Sequence, residues 1–543
     1  MGALNGHGRD LAAERAQLRR QLAQLQPKDR LDLLLGASDA GQLVRSLRAA
    51  DLYGTVVEVG LADSSQLVQL ASPEQFKTFI DLGAWGKDRF EVHRAITWLR
   101  AARGDEPQEY LKKIHALDLE VLELLLRGTV QIHERDEDRE IDPTAVSLET
   151  PDGRYVVEFL VEGAEMSGVR ALLTALIAED PFQASRLLEA TRWEVPGELE
   201  ETAYQFRQAR LGDLGFPPLE DAAKVFAFAE PEPSGPGRPA ESRELAAARV
   251  DYLTASLRDS SVEQVEEVEQ QIRYLANEVL VSEAAEPGDV AAARGAVEAV
   301  RDYVALGFEH LCGADSERAK AVLESQGIRR IFQIGFSLTL KLKFRVDRLE
   351  RVPLARIERV YLAFPPEAHV LSALRRKRPL RALPVEGAEP VPFRTLAELA
   401  AAEEAVARGE QQIAFLSALL GGSAAAAAEA LRAFQLPLLE LGVDRLFAAI
   451  LAHALLDGTL RVAPVDVECL PRLLEAFGGG ESPLRADVAA RVLSTLGDKV
   501  PAYAQEELRR QIERTLMTLA TELTAALKAG EPRAIACLPL RGL

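Results

Sequence analysis

A rhythm near the start of this chain limits its fold more than any other feature. "DAGQLVRSL" from Asp39 and "DSSQLVQLA" from Asp63 share Asp, Gln, Leu and Val at an offset of 24 residues, and the apolar pair Leu52 and Val56 is echoed by Phe76 and Ile80. A weaker copy of the apolar rhythm runs through "LDLEVLELLL" from Leu117. Each unit reads as two short helices that cannot bury an apolar face alone, so successive units stack. Ordinary similarity between helix pairs is the rival reading of the same pattern. Composition points the same way: aromatics are 6% of 543 residues and Ala and Leu dominate, a mixture that loses little on entering helices. The expected fold is mainly α. It has a helical-repeat, superhelical N-terminal half with an inserted β-hairpin and a helical-bundle C-terminal half.

The length exceeds what one hydrophobic core usually holds, and composition shifts suggest the divisions. Residues 1–30 read as a leading helix and 31–228 as the repeat domain. Within it, Val146 and Leu148 lead into Pro151-Asp152-Gly153, and Tyr155, Val157 and Phe159 lead out, which predicts a hairpin at 145–162. The acidic run "ERDEDRE" before it reads as a solvated loop. "AEPEPSGPGRPAE" carries four prolines and two glycines and reads as a linker at 229–241. A helical bundle over 242–352, a Pro/Arg-rich connecting segment over 353–394 and a C-terminal helical region over 395–543 complete the expected order.

Few chemistries survive inspection. Cys312, Cys469 and Cys537 are too far apart to suggest a disulfide framework. The seven histidines are scattered, and only His310 has a cysteine close by, at Cys312, with no second ligand pair at zinc spacing. "GAWGKD" fails as a phosphate loop, because Asp81 stands where the first glycine belongs and Asp88 where Ser or Thr would reach magnesium. That stretch reads instead as a helix ended by Gly83, with Trp85 packed on a neighbour and Lys87, Asp88 and Arg89 pairing at the surface. No catalytic residue, metal ligand or cofactor is assigned. The longest uncharged run, Ile413 to Ala428, is shorter than the roughly 20 residues that span a bilayer and is broken by Gly421, Gly422 and Ser423. The start lacks the apolar core of a secretory signal, so the expected location is cytoplasmic.

A charge asymmetry remains. The chain carries a formal net charge of −20, which disfavours general affinity for nucleic acid or anionic lipid. Between Ile328 and Leu383, however, fourteen Lys or Arg face four Asp or Glu, a local excess of +10. The tightest cluster is Arg375, Arg376, Lys377, Arg378 and Arg381, a candidate site for a polyanion or an acidic partner. Its competing reading is internal pairing with acidic helices such as "VEQVEEVEQQ", or simple solvation. Inside this region "RRIFQIGFSLTLKLKFRV" alternates like a strand from Ile334. It also fits a helix with one stripe at Ile328, Ile331, Ile334, Gly335, Leu338, Leu342, Val346 and Leu349 and a second at Phe336, Leu340 and Phe344. A thirteen-residue strand with no partner nearby would be long and exposed, so a helix buried on two sides is the favoured reading.

Several strings, in order, resemble an uncharacterised bacterial domain-of-unknown-function family numbered 6178. They are "LASPEQFKTFIDLGAWGKDRF", "TPDGRYVVEF", "ELEETAYQFRQARLGDLGFPPLEDA", "RYLANEVL", "LRRKRPLR" and "PFRTLAEL", together with the opening stretch. The resemblance spans most of the chain and implies no activity. More loosely, the Leu-rich repeats at 31–126 are similar to the helical intracellular domains of bacterial magnesium transporters and of the flagellar motor switch protein, which implies a fold type and no shared role. The function expected is a non-catalytic cytoplasmic helical scaffold or adaptor for an unidentified protein partner. Nucleic acid or another polyanion bound through 328–383 is one alternative, and an enzyme with an unrecognised site is another. The oligomeric state cannot be read from these residues.

Overall fold

The computed structural model describes residues 22, 25–135, 146–193, 196–231, 251–313, 315–385, 387–478, 486–497 and 505–542. Most of the predicted leading helix, the run 136–140 of "ERDEDRE" and residues 232–241 of the predicted linker lie outside them. Helices carry most of the described residues and the strands are short, so the protein is mainly α. Among the described residues, no single helix is long and apolar enough to cross a membrane. The three cysteines are free. The chain divides into two compact units, one of residues 1–227 with 257–301 and one of residues 228–256 with 302–543.

In the first unit, Asp39 and Asp63 each precede a short helix, Ala40–Ser46 and Ser65–Leu70, and a longer one follows each, Ala49–Val59 and Pro73–Gly83. Leu52, Val56, Phe76 and Ile80 are all buried in one core. Ser72 starts the Pro73–Gly83 helix with a capping box, in which its hydroxyl accepts from the Gln75 amide and the Gln75 side chain accepts from the Ser72 amide. Behind these helices, Tyr53 stacks on Trp98 at 5.5 Å between ring centroids, and Phe79 meets Trp98 at 5.3 Å. Beyond Gly83 the chain forms a small hairpin, β1 (Trp85–Gly86) with β2 (Arg89–Phe90). Its turn holds Lys87 at φ 58°, in the left-handed region. The surface pairing expected of Lys87, Asp88 and Arg89 does not form; these side chains make no ion pair among the described residues.

The predicted hairpin is present as β4 (Ser147–Glu149) and β5 (Tyr155–Phe159), paired antiparallel with Leu148 opposite Val157. Its turn works by Asx chemistry: the Asp152 carboxylate accepts from the Thr150 hydroxyl at 2.6 Å and the Arg154 amide at 3.1 Å, while Gly153 takes φ 68°. A third strand, β3 (Val130–Glu134), pairs with the other edge of β5 to give the order β3-β5-β4. The sequence reading missed β3 because five residues directly after a helix offer too little alternation to register.

The stretch open to strand and helix readings is helical throughout, inside Ala319–Leu349, with a non-helical joint at Gly327 (φ 70°). The first stripe is largely buried, but the second leaves the core: Phe336 is buried, Leu340 half-buried and Phe344 exposed. The expected burial on two sides is therefore lost toward the C-terminal end. Helix contact explains where the first stripe goes. Gly335 lies against the second-unit portion of the Val290–Cys312 helix so closely that a Cβ there would fall 1.9 Å from the Tyr303 carbonyl oxygen, and one on Gly307 would fall 2.1 Å from that of Ile331. Two glycines allow backbone-to-backbone packing here, and Tyr303 then meets Phe332 and Phe336 edge-on at 5.4 Å each. Further along the unit, the Val443–Asp457 helix is apolar nearly all round and packs among Leu470–Phe477, Ala486–Leu496 and Gln505–Ala529.

Candidate functional site

The five basic residues singled out by sequence lie in the second unit just after the Glu367–Leu374 helix, and they do not converge. Arg375 Nε sits 2.7 Å from Glu350 Oε1, an oxygen that also takes Arg356 Nη1 at 2.9 Å and the Tyr361 hydroxyl at 2.8 Å. Burial alone would raise the Glu350 carboxyl, but the Tyr361 hydroxyl and the two guanidinium groups outweigh it and hold the group below the usual range. Arg376 reaches Glu389 at 3.5 Å and Arg381 reaches Glu398 at 3.4 Å. The backbone of Arg381 is also bridged to Val391 in both directions, at 2.7 and 3.0 Å. Burial lowers the half-buried Arg378 guanidinium to about 10. Lys377 is exposed. Three of the five thus already hold carboxylates, and none of those belongs to "VEQVEEVEQQ".

Beside this cluster, a groove of about 500 Å³ runs between the C-terminal end of the Ala319–Leu349 helix and the Leu396–Leu419 helix. Leu349, Val352, Ile413 and Ala414 give it an apolar lining, and Arg345, Arg348 and Glu410 its polar one. Arg345 is clamped by Glu410 in a bidentate pair at 2.9 and 2.8 Å, the strong fork geometry of guanidinium on carboxylate. Arg348 lies exposed with no carboxylate within ion-pair distance among the described residues.

The first unit brings together two segments that the sequence reading treated separately. From the Pro196–Asp213 helix, Arg210 grips Asp81 with two bonds of 2.7 and 2.8 Å and reaches Asp118 at 2.6 Å, and Lys77 closes on the other oxygen of Asp118 at 2.6 Å. Asp81 is only 2% exposed. Attraction to Asp81 and Asp118 outweighs burial and raises the Arg210 guanidinium above its usual value. Arg207 donates to the Asp81 and Lys87 carbonyls at 2.7 and 3.2 Å and lies 5.1 Å from the centre of the Trp85 ring. Glu200 accepts from the Phe90 amide at 3.0 Å, so the same helix fastens the β1–β2 hairpin. Trp85 is 1% exposed, and its indole N–H finds no acceptor among the described residues. Within this cluster Lys77, Arg210, Asp81 and Asp118 pair with one another, and Arg207 is spent on backbone carbonyls.

One surface of the first unit is the reverse. On the Pro181–Trp193 helix the apolar face Ala184, Leu187, Leu188 and Thr191 is buried, and the opposite side presents Phe182, 82% exposed, and Trp193, 70% exposed. Eleven residues separate them, about three turns, so they share a face with Arg186 and Glu189 between them. Trp193 is held in place. Its ring N–H donates to Glu189 at 3.3 Å, and Arg192 covers the ring at 5.2 Å. Glu189 is itself anchored by Arg154 at 3.0 Å and by the Tyr155 hydroxyl. The sequence reading passed over this pair, although the spacing of Phe182 and Trp193 opposite four buried residues was a usable signal.

Among the described residues, no group of three or more His, Cys, Asp or Glu side chains is placed to hold a metal ion. No curated protein and no solved structure matches the chain. The segments that meet around Asp81 and Trp85, the β4–β5 turn and the Arg375 segment all fall inside the span of one family model, described as a family of unknown function, and with residues 9–541 matched the chain belongs to that family, DUF6178.

Proposed function

We propose that this protein is a non-catalytic, cytoplasmic helical scaffold or adaptor that binds a protein partner through the Phe182–Trp193 face. The observation that carries the reading is the exposure of two large aromatic side chains on one helix face. Burying each in a partner is worth roughly 2–3 kcal/mol. Aromatic residues with arginine nearby are the usual anchors of protein interfaces. The bonds that fix Trp193 in the free protein reduce the ordering cost of binding. The competing reading, nucleic acid or another polyanion on residues 328–383, loses part of its densest cluster, because a phosphate would have to displace Glu350, Glu389 and Glu398 from Arg375, Arg376 and Arg381.

The test is affinity purification of the full chain from its native host beside the double variant Phe182→Ala/Trp193→Ala. A partner recovered reproducibly with the parent protein and lost with the variant supports the reading. Recovery of the bait alone, or of the same partner with both proteins, overturns it.

A further inference from the structure

The groove of the second unit has a composition that selects its occupant. Arginines of this unit are repeatedly answered by a carboxylate: Arg345 by Glu410, Arg356 and Arg375 by Glu350, Arg381 by Glu398, and Arg408 by the buried Glu367 at 2.8 Å. Arg348, on the groove wall, and Arg351, just beyond it, are exposed and have no such answer among the described residues. Between Arg348 and the opposite helix lies the apolar strip of Leu349, Val352, Ile413 and Ala414. Val352 keeps 45% of its surface in water although it is a β-branched apolar residue. Arg345 is already taken up by Glu410 and, at 3.7 Å, by Glu403, so the groove offers the exposed Val352 and Ala414, over the buried Leu349 and Ile413, beside the unanswered guanidinium of Arg348.

We propose that this groove receives an acidic amphipathic helix of a partner protein, whose apolar side chains cover the exposed Val352 and Ala414 and whose carboxylate pairs with Arg348. The argument is charge complementarity. A chain of net charge −20 repels acidic peptides in general, so an acidic segment held here must be held by local contacts: apolar cover for affinity and the Arg348 fork for sign and register. A basic helix would meet Arg348 and Arg351 with like charge. This site shares no residue with the Phe182–Trp193 face, so either can fail without the other.

The probe is a fluorescein-labelled 18-residue helical peptide with Leu on one face and Glu beside it, compared with a counterpart in which Lys replaces each Glu. Binding to the full-length protein is read by fluorescence anisotropy at low salt. The Glu peptide is expected to bind and the Lys peptide to bind at least about tenfold more weakly. Arg348→Glu and Val352→Asp, both surface changes, should each weaken the Glu peptide by about tenfold. Lys320→Glu makes the same charge change on an exposed lysine at the other end of the helix and should alter binding less than about twofold. Three results overturn the proposal: equal binding of the two peptides, an Arg348→Glu effect no larger than that of Lys320→Glu, or a dimer in sedimentation velocity that Arg348→Glu abolishes, which would assign the groove to a second copy.

Discussion

Two tryptophan–arginine pairs in the first unit make nearly the same contact and do opposite things. Arg207 lies 5.1 Å from the Trp85 ring and Arg192 lies 5.2 Å from the Trp193 ring. Around Trp85 every neighbour belongs to the protein: Phe90 packs edge-on at 5.4 Å, Tyr204 lies at 6.1 Å, and Arg207 spends its donors on the carbonyls of Asp81 and Lys87. Around Trp193 the arginine and Glu189 orient the ring but leave most of its surface in water. Cation–π geometry therefore does not distinguish a structural site from a recognition site. What distinguishes them is whether the apolar area is already covered.

The contrast can be broken at its buried end first. Trp85→Ala should destabilise the protein by about 3–5 kcal/mol, measured by urea unfolding, because it opens a ring-sized cavity under Arg207. Trp85→Phe should cost much less, since the ring is kept and an unsatisfied N–H is removed. Trp193→Ala should change stability by less than about 1 kcal/mol; a loss as large as that of Trp85→Ala would show that the two pairs are not different in kind.

Asp81→Ala sharpens the comparison from the electrostatic side. It strands Arg210 beside a buried cluster and should cost about 3–5 kcal/mol, toward the lower end because Arg210 keeps Asp118. An effect below about 1 kcal/mol would mean that the network is not holding the Pro196–Asp213 helix in place.

The smallest expected effect lies in the second unit. Glu350 has its carboxyl held below the ordinary value of 4.5, so its contribution is present above that pH and is lost as pH falls through the folded-state value. Stability measured from pH 6 to pH 3 should therefore fall less steeply in Glu350→Gln than in the parent protein. Parallel curves would show that Arg356, Arg375 and Tyr361 do not couple to the ionisation of Glu350.

Much of the architecture was legible from local pattern. The capping boxes at Ser72, Ser261 and Thr395 stand in the sequence as S-x-x-Q or T-x-x-E, and Pro151-Asp152-Gly153 specified its own turn. The 331–346 stretch was harder, because its period-2 alternation and its helical stripe coexist in the same letters. The helix is fixed by Gly335 meeting the Tyr303 carbonyl, a contact between residues thirty-two positions apart. For the basic cluster, the sequence showed an excess of cations but not its neutralisation, since Glu350, Glu389 and Glu398 answer Arg375, Arg376 and Arg381 through chain geometry that obeys no period.

By itself, then, the sequence determined the mainly helical character of the chain, the caps and the hairpin turn that punctuate it, and that one region carries a surplus of positive charge. Each of those follows from residues within a few positions of one another. Only the tertiary structure decided that Trp85 is covered and Trp193 is bare, that Arg210 is spent on Asp81 while Arg348 meets no carboxylate among the described residues, and that Leu349, Val352, Ile413 and Ala414 line the groove beside Arg348. Burial and charge pairing depend on which distant residues meet, and two tryptophans or two arginines that look alike in the sequence acquire different roles from the neighbours that folding brings to them.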